Sequence, residues 1–116
     1  DAIKKLASEG PCVMVGRCAD YALSEYKDCF SVFVHADTDW RINRLSQKHN
    51  KTAKEAKDMI NKTDKSRSSY YNYYTNKKWG AASSYNLCVD SSKLGIDGAA
   101  KAIIQAIEIF DSIKNK

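Results

Sequence analysis

"CFSVFVHA", residues 29–36, is a short apolar run that predicts a buried strand by its length and flanks. Two other runs have the same character: "PCVMVG" at 11–16, which ends in glycine, and the shorter "YNLCVD" at 85–90. All three are nearly continuous in apolar residues rather than alternating. Such runs are typical of strands that are covered on both faces, as in a parallel sheet.

Helical patterns alternate with these strands. They cover residues 2–8, 40–49, a long segment after 52, and 98–113. Thr52 and Glu55 have the spacing of a capping box, which predicts that the long helix begins there. Asp97 is the predicted N-cap of the closing helix. The alternation of helices and strands predicts an α/β layered fold with a parallel sheet.

Length and composition limit the class of protein. With 116 residues, the chain is long enough for one domain and too short for two. Hydrophobic residues make up 43% and charged residues 28%, which is the profile of a soluble globular protein. The apolar runs are far shorter than a membrane span, and we find no signal peptide. The sequence begins at Asp1 already in helical rhythm, so we expect it to be cut from a longer protein.

The cysteines indicate the redox environment. They are Cys12, Cys18, Cys29 and Cys88. They form no CxxC pair and have no histidine at metal-ligand spacing. We therefore expect buried free thiols rather than a disulfide framework or a metal site, which favours a reducing cytoplasm.

The net charge of +5 is unevenly distributed. Residues 41–78 contain eleven Lys and Arg against three carboxylates, a net charge of +8, which leaves −3 for the rest of the chain. A basic segment on a mildly acidic body predicts an anionic ligand, either a polynucleotide or a phosphate group.

Several cations follow the predicted strands at their carboxyl ends, where ligands bind in open parallel sheets. Arg17 comes directly after strand 11–16. Arg41, Arg44 and Lys48 form a stripe on the helix that follows the second strand. Two interpretations stay open for each: a solvated surface cation, or a contact to phosphate.

"DKSRSSYYNYYTNKKWG", residues 64–80, combines cations with five aromatic residues. Asp64 and Arg67 can pair at i, i+3. Alternatively, Lys65 and Arg67 both bind phosphate and Asp64 orients one of them. At most two of the four tyrosines, at 70, 71, 73 and 74, can stack on one ligand. We therefore expect most of them to tie this segment to the body.

The motifs GRCAD (16–20), DKxRxxYYxYYTxxKWG (64–80) and YNLCVDSSxLGI (85–96) together resemble the C-terminal part of the cytidylate kinase-like family of bacterial nucleoside monophosphate kinases. The resemblance covers almost the whole chain. It implies one partial domain, residues 1–116, with a three-layer P-loop NTPase-like parallel sheet, helices on both faces and a helical lid over about 41–80. It also implies transfer of the γ-phosphate of ATP to a (deoxy)nucleoside monophosphate such as CMP.

The resemblance further implies roles for individual residues. The catalytic cations of the lid correspond to Arg44, Lys65 and Arg67. The site of the acceptor monophosphate corresponds to Arg17, Asp20, Arg41, Asp64 and Tyr70. The site of the donor nucleotide corresponds to Lys48, Ser91 and Ser92, where residues 91–95 pass the donor base.

One departure from the family is large: the sequence contains no G-x-x-x-x-G-K-[ST] phosphate loop. In the family this loop lies N-terminal to the point where the chain begins. We therefore expect the intact protein to use ATP and Mg²⁺, the Mg²⁺ ligands to lie outside this chain, and the chain alone to be inactive. The strand that feeds the loop would lie between strands 11–16 and 29–36, which separates them by about 10 Å and leaves 85–90 on the other side of 29–36.

An alternative function is a non-enzymatic module that binds nucleic acid, with cations on phosphates and Tyr or Trp rings stacked on bases. No RNA- or DNA-binding motif is present, and the order of strands and helices differs from that of an oligonucleotide-binding barrel. We therefore expect a nucleoside monophosphate and ATP, rather than nucleic acid or a membrane, as the binding partners.

Overall fold

A computed structural model describes residues 2–16 and 18–114 of the chain. In chain order, the elements are α1 (Ala2–Ser8), α2 (Ala19–Ala22), β1 (Val32–His35), α3 (Thr38–His49), α4 (Ala53–Thr75), a 3-10 turn (Ala82–Ser84), β2 (Leu87–Asp90) and α5 (Ser91–Lys114). The fold is a mixed α/β arrangement in which the long basic segment is a pair of helices between two strands.

The two strands pair in parallel, with Val32 opposite Leu87 and His35 opposite Asp90. This confirms the predicted pairing of the segments 29–36 and 85–90. Just before the strands, the carboxamide oxygen of Asn86 accepts hydrogen bonds from the backbone N–H and the hydroxyl of Ser31, at 2.8 and 2.9 Å. This contact lies one position before the first paired residues, Val32 and Leu87, and helps to fix the register of the two strands.

The predicted strand at 11–16 is wrong for this structure. Residues 11–15 have no regular structure, and Val13 and Val15 are 94% and 91% exposed. A strand is stabilised by backbone hydrogen bonds to a neighbouring strand. Within the described residues, β1 and β2 pair only with each other, so residues 11–15 have no such neighbour.

The helix boundaries follow the capping residues. Asp37 caps α3 by accepting a hydrogen bond from the Trp40 N–H, so this helix begins two residues before the predicted start. The predicted capping box at the start of α4 is confirmed: the Glu55 N–H donates to the Thr52 hydroxyl at 3.1 Å, and the Thr52 N–H donates to the Glu55 carboxylate at 3.0 Å.

The closing helix is predicted at 98–113, and in the structure α5 consists of two helical stretches that meet at Gly95, the second of which contains this range. Asp97 lies inside the second stretch rather than at its N-cap. The difference arises at Gly95, whose φ of 74° interrupts the helical backbone between two shorter helical stretches. Glycine adopts this left-handed φ without the steric cost that a Cβ would impose.

The four cysteines are free, but none is fully buried: Cys12 is exposed and the other three are partly exposed. The expectation of buried thiols is therefore wrong. Even so, partial burial is the main cause that raises the pKa of the Cys18 and Cys29 thiols.

The chain encloses a small core and leaves much apolar surface exposed. Its accessible surface is 8800 Å², against roughly 6,300 Å² for a compact monomer of 13.0 kDa. The radius of gyration is 15.9 Å, against about 13 Å for a compact chain of this length. Among the helices of the described residues, none is both long and apolar enough to cross a membrane.

Candidate functional site

A cleft of about 440 Å³ opens at the carboxyl ends of β1 and β2, where α3 and α5 begin. Its walls are His35, Ala36, Asp37, Trp40, Asp90, Ser92 and Lys93. This is the edge at which open parallel sheets bind ligands. Trp40, Asp90 and Lys93 are not among the residues predicted from the sequence. Asp90 ends the third predicted strand and Lys93 lies three residues after it, so their position at the end of a strand was a usable signal.

Two serines hold the walls of the cleft together. The Ser92 hydroxyl accepts a hydrogen bond from the Asp37 N–H at 3.0 Å and donates one to the Asp90 carboxylate. The Ser91 hydroxyl donates to the His35 carbonyl at 3.3 Å. The hydrogen bond from Ser92 is the main cause that lowers the pKa of the Asp90 carboxyl. Ser91 and Ser92, the predicted donor-site residues, are therefore engaged in fixing α3 and α5 relative to the strands.

The three cations of the basic stripe on α3 have different surroundings. Arg41 forms two hydrogen bonds to the Asp64 carboxylate, at 2.7 and 2.8 Å, which join α3 to α4. Arg44 lies over the Trp40 ring, with its guanidinium carbon 5.6 Å from the ring centroid. Lys48 is exposed one turn further along the helix. The hydrogen bond to Asp64 is the main cause that raises the pKa of Arg41.

Asp64 thus orients a cation, but that cation is Arg41 rather than Lys65 or Arg67. Among the described residues, Lys65 and Arg67 form no ion pair, and both are exposed. Because α4 is an unbroken helix, side chains two residues apart project about 160° from one another. Lys65 and Arg67 therefore lie on different sides of α4, and Arg67 shares a side with Asp64.

The tyrosines of α4 also divide by side of the helix. Tyr71 is 6% exposed, and its hydroxyl donates to the Asp20 carboxylate at 2.7 Å. Tyr70, Tyr73 and Tyr74 are exposed and contact one another. The expectation that most of these tyrosines tie the segment to the body is therefore wrong, since Tyr71 alone among the four is buried.

The end of the 64–80 segment is anchored on the sheet. The Phe33 ring of β1 lies 5.2 Å from the Trp79 ring, edge to face, and 4.8 Å from the Tyr85 ring, stacked. Gly80 lies close against Phe33 and donates its N–H to the Tyr85 hydroxyl at 3.2 Å. These contacts fix the return of the helical pair to the body.

Two further residues were predicted for the acceptor site, Asp20 and Arg17. Asp20 lies in α2 and accepts the hydrogen bond from Tyr71. Arg17 lies outside the described residues. Within the described part of the chain, no cluster of three or more His, Cys, Asp or Glu side chains is placed to hold a metal ion.

Comparisons with known proteins cover most of the chain. The model of a family described as the cytidylate kinase-like family matches residues 1–93. A solved crystal structure of an uncharacterized protein from Eubacterium ventriosum ATCC 27560 is 34% identical, with a TM-score of 0.89. The match covers 92% of this chain and 61% of that chain, so this chain spans about three fifths of the length of its neighbour. No curated protein matches.

Proposed function

Because the chain belongs to the cytidylate kinase-like family, we propose that residues 38–75 form the lid of a nucleoside monophosphate kinase and supply cations to the transferred phosphate. The donor would be ATP and the acceptor a nucleoside monophosphate such as CMP. The observation that carries this proposal is the helical pair α3–α4. Its Arg41–Asp64 ion pair holds the helices together, and no carboxylate of the described residues pairs with Arg44 or Arg67.

The chemistry requires little more from this segment than placed positive charge. Phosphoryl transfer proceeds through a transition state whose charge is spread over the phosphate oxygens, so cations and positioning supply most of the catalysis. The planar guanidinium of Arg binds such oxygens in pairs. A lid that brings these cations in on closure also excludes water from the transferred group.

Arg44 and Arg67 are the proposed phosphate contacts. They lie one helical turn from Arg41 and Asp64, respectively, and so flank the ion pair. Lys65 lies on another side of α4 and contributes through its longer-range field. Tyr70 is one turn from Arg67 and exposed, which suits the predicted role of contacting substrate.

The cleft at the strand ends is proposed to accept the base and ribose of the donor nucleotide. Its two carboxylates, Asp37 and Asp90, disfavour a phosphate group at close range. The Trp40 ring is an apolar surface against which a base can pack. Arg44, a proposed phosphate contact, lies over the same ring, so the proposed base site and phosphate site are adjacent. In this proposal Ser91 and Ser92 contribute to donor binding by fixing the walls of the cleft through their hydrogen bonds.

The finer fold proposed is the three-layer parallel sheet of P-loop kinases. Three features support it: the free backbone edges of the two-stranded sheet formed by the described residues, the exposed Val13 and Val15, and exposed isoleucines on two sides of α5, at 104 and 107 and at 109 and 113. A phosphate-loop strand between residues 11–15 and β1 would pair with both segments and cover part of this apolar surface.

The test compares three variants that each remove one positive charge from α4. We expect Arg67→Ala to weaken binding of ATP or CMP to the 116-residue chain roughly tenfold or more, the effect of losing a charged hydrogen bond. We expect Lys65→Ala to have a smaller effect, and Lys54→Ala, in the first turn, to match the unaltered chain. The measurement is isothermal titration calorimetry, and equal affinities in all of these chains would contradict the assignment.

The exposed tyrosines favour one other function, binding of single-stranded nucleic acid. The same chains titrated with a random single-stranded DNA separate the two. Tight binding with a steep dependence on salt would favour that function over the kinase proposal. We expect weaker binding than five accessible rings would give, because the ring of Tyr71 is buried and that of Trp79 packs against Phe33, which leaves only the other three tyrosines to stack on bases.

A further inference from the structure

Two contacts hold the same side of α4, and Arg67 lies between them. The first is the Arg41–Asp64 ion pair to α3. The second is the hydrogen bond from Tyr71 to Asp20 in α2. Arg67 is three residues after Asp64 and four before Tyr71, so the three side chains project from one side of the helix. The direction of the Arg67 side chain therefore depends on how α4 is rotated about its own axis.

The Tyr71 hydroxyl supplies a directional contact that packing alone does not supply. Its ring lies 5.9 Å from the Tyr85 ring, and this packing does not require the hydroxyl. The hydroxyl reaches the Asp20 carboxylate at 2.7 Å, across 51 residues of sequence. Hydrogen bonds to a carboxylate are about twice as strong as neutral ones and depend on direction.

We infer that Tyr71 is a positioning residue for the phosphate site: its hydrogen bond to Asp20 fixes the rotation of α4 and thereby aims Arg67. This inference rests on the proposed function, in which Arg67 contacts phosphate. Asp20, whose carboxylate accepts the Tyr71 hydrogen bond, then acts through α4 rather than by touching the acceptor.

The experiment uses the 116-residue chain and two pairs of variants. Tyr71→Phe removes the hydroxyl and keeps the ring, whereas Tyr74→Phe makes the same change at an exposed tyrosine of the same helix. Asp20→Ala removes the acceptor, whereas Asp20→Asn keeps an acceptor oxygen in its place. Amide hydrogen exchange over residues 64–69 is measured without ligand, and the affinity for ATP and for CMP is measured by calorimetry.

We expect Tyr71→Phe and Asp20→Ala to speed exchange over 64–69 roughly tenfold. We expect the same two variants to weaken nucleotide binding by roughly two- to thirtyfold. Tyr74→Phe should stay close to the unaltered chain in both measurements, whereas Asp20→Asn, which keeps an uncharged acceptor, should fall between the unaltered chain and Asp20→Ala. A double variant of Tyr71→Phe and Asp20→Ala should be no worse than either alone, since both remove one contact.

Three outcomes would overturn the inference. Unchanged exchange in Tyr71→Phe means that the hydroxyl does not fix α4. Faster exchange with unchanged nucleotide affinity means that the contact is structural and does not aim Arg67. Absence of nucleotide binding by the unaltered chain removes the proposed function itself, and is distinguished from the other two because it appears before any substitution is made.

Discussion

Tyr71 keeps its proton to high pH. Burial first, and then the hydrogen bond to Asp20, raise the pKa of its hydroxyl above the ordinary value. In the unfolded chain the same hydroxyl loses its proton at about pH 10. Above that pH the unfolded state binds fewer protons than the folded state, so the free energy of unfolding falls as pH rises. The stabilisation from neutral Tyr71 is complete below about pH 10 and is lost as pH rises towards the pKa in the folded state.

We therefore expect Tyr71→Phe to reduce the alkaline fall in stability, measured by urea unfolding at roughly pH 8 and pH 11. Tyr74→Phe, at an exposed position, should show the same fall as the unaltered chain. An identical fall in all three chains would mean that ionisation of other groups accounts for the pH dependence.

Local sequence patterns did not predict how the charged residues of α3 and α4 pair. Arg67, three residues from Asp64, was one predicted partner, and neighbouring positions on a helix do support such pairs. In the structure Arg41, 23 residues away, binds both oxygens of Asp64. Two packed helices present this guanidinium to the carboxylate in a paired geometry that one helix does not offer. Such a contact depends on helix packing, which no short stretch of sequence encodes.

Among the secondary-structure elements, α4 should owe part of its stability to the capping box at its start. Thr52→Ala removes the hydroxyl that accepts the Glu55 N–H, and we expect it to lower the free energy of unfolding by about 1 kcal/mol. Thr63→Ala, at an exposed position inside the same helix, should be neutral or slightly stabilising, because alanine favours helix interiors. The measurement is urea unfolding followed by circular dichroism, and equal effects of the two substitutions would contradict the role of the cap.

The helices were easier to predict from sequence than the strands. Caps such as Thr52 and the period of apolar residues are local signals, so α1, α3 and the start of α4 were placed to within a few residues. The end of α4 was expected near Asp64, whereas the helix continues to Thr75. The run at 11–16 has the composition of a strand, but a strand forms only where a neighbour offers backbone hydrogen bonds. The early start of α5 was missed because Gly95 was not recognised as an interruption between two helical stretches.

For the whole molecule, we expect the 116-residue chain to transfer no phosphate from ATP to CMP or UMP. The sequence contains no phosphate loop, and the cations of α3 and α4 alone do not position the transferred group. A coupled assay for ADP is the measurement, with added ADP as the control that the coupling enzymes work. Turnover by the purified chain that disappears in Arg67→Ala would show that this expectation is wrong.

The parallel pairing of β1 with β2 has a consequence for how the helical pair can vary. The Ser31–Asn86 contact joins residues 55 apart, so α3 and α4 lie inside a loop closed by the sheet. The entropy of closing a loop grows only with the logarithm of its length, and lengthening this one by about ten residues costs roughly 0.2 kcal/mol. We therefore expect insertions at the turn between the helices, residues 50–52, to leave the pairing of β1 with β2 intact. The distance from the sheet to the cations of α3 and α4 can then differ between related chains that keep the same two strands.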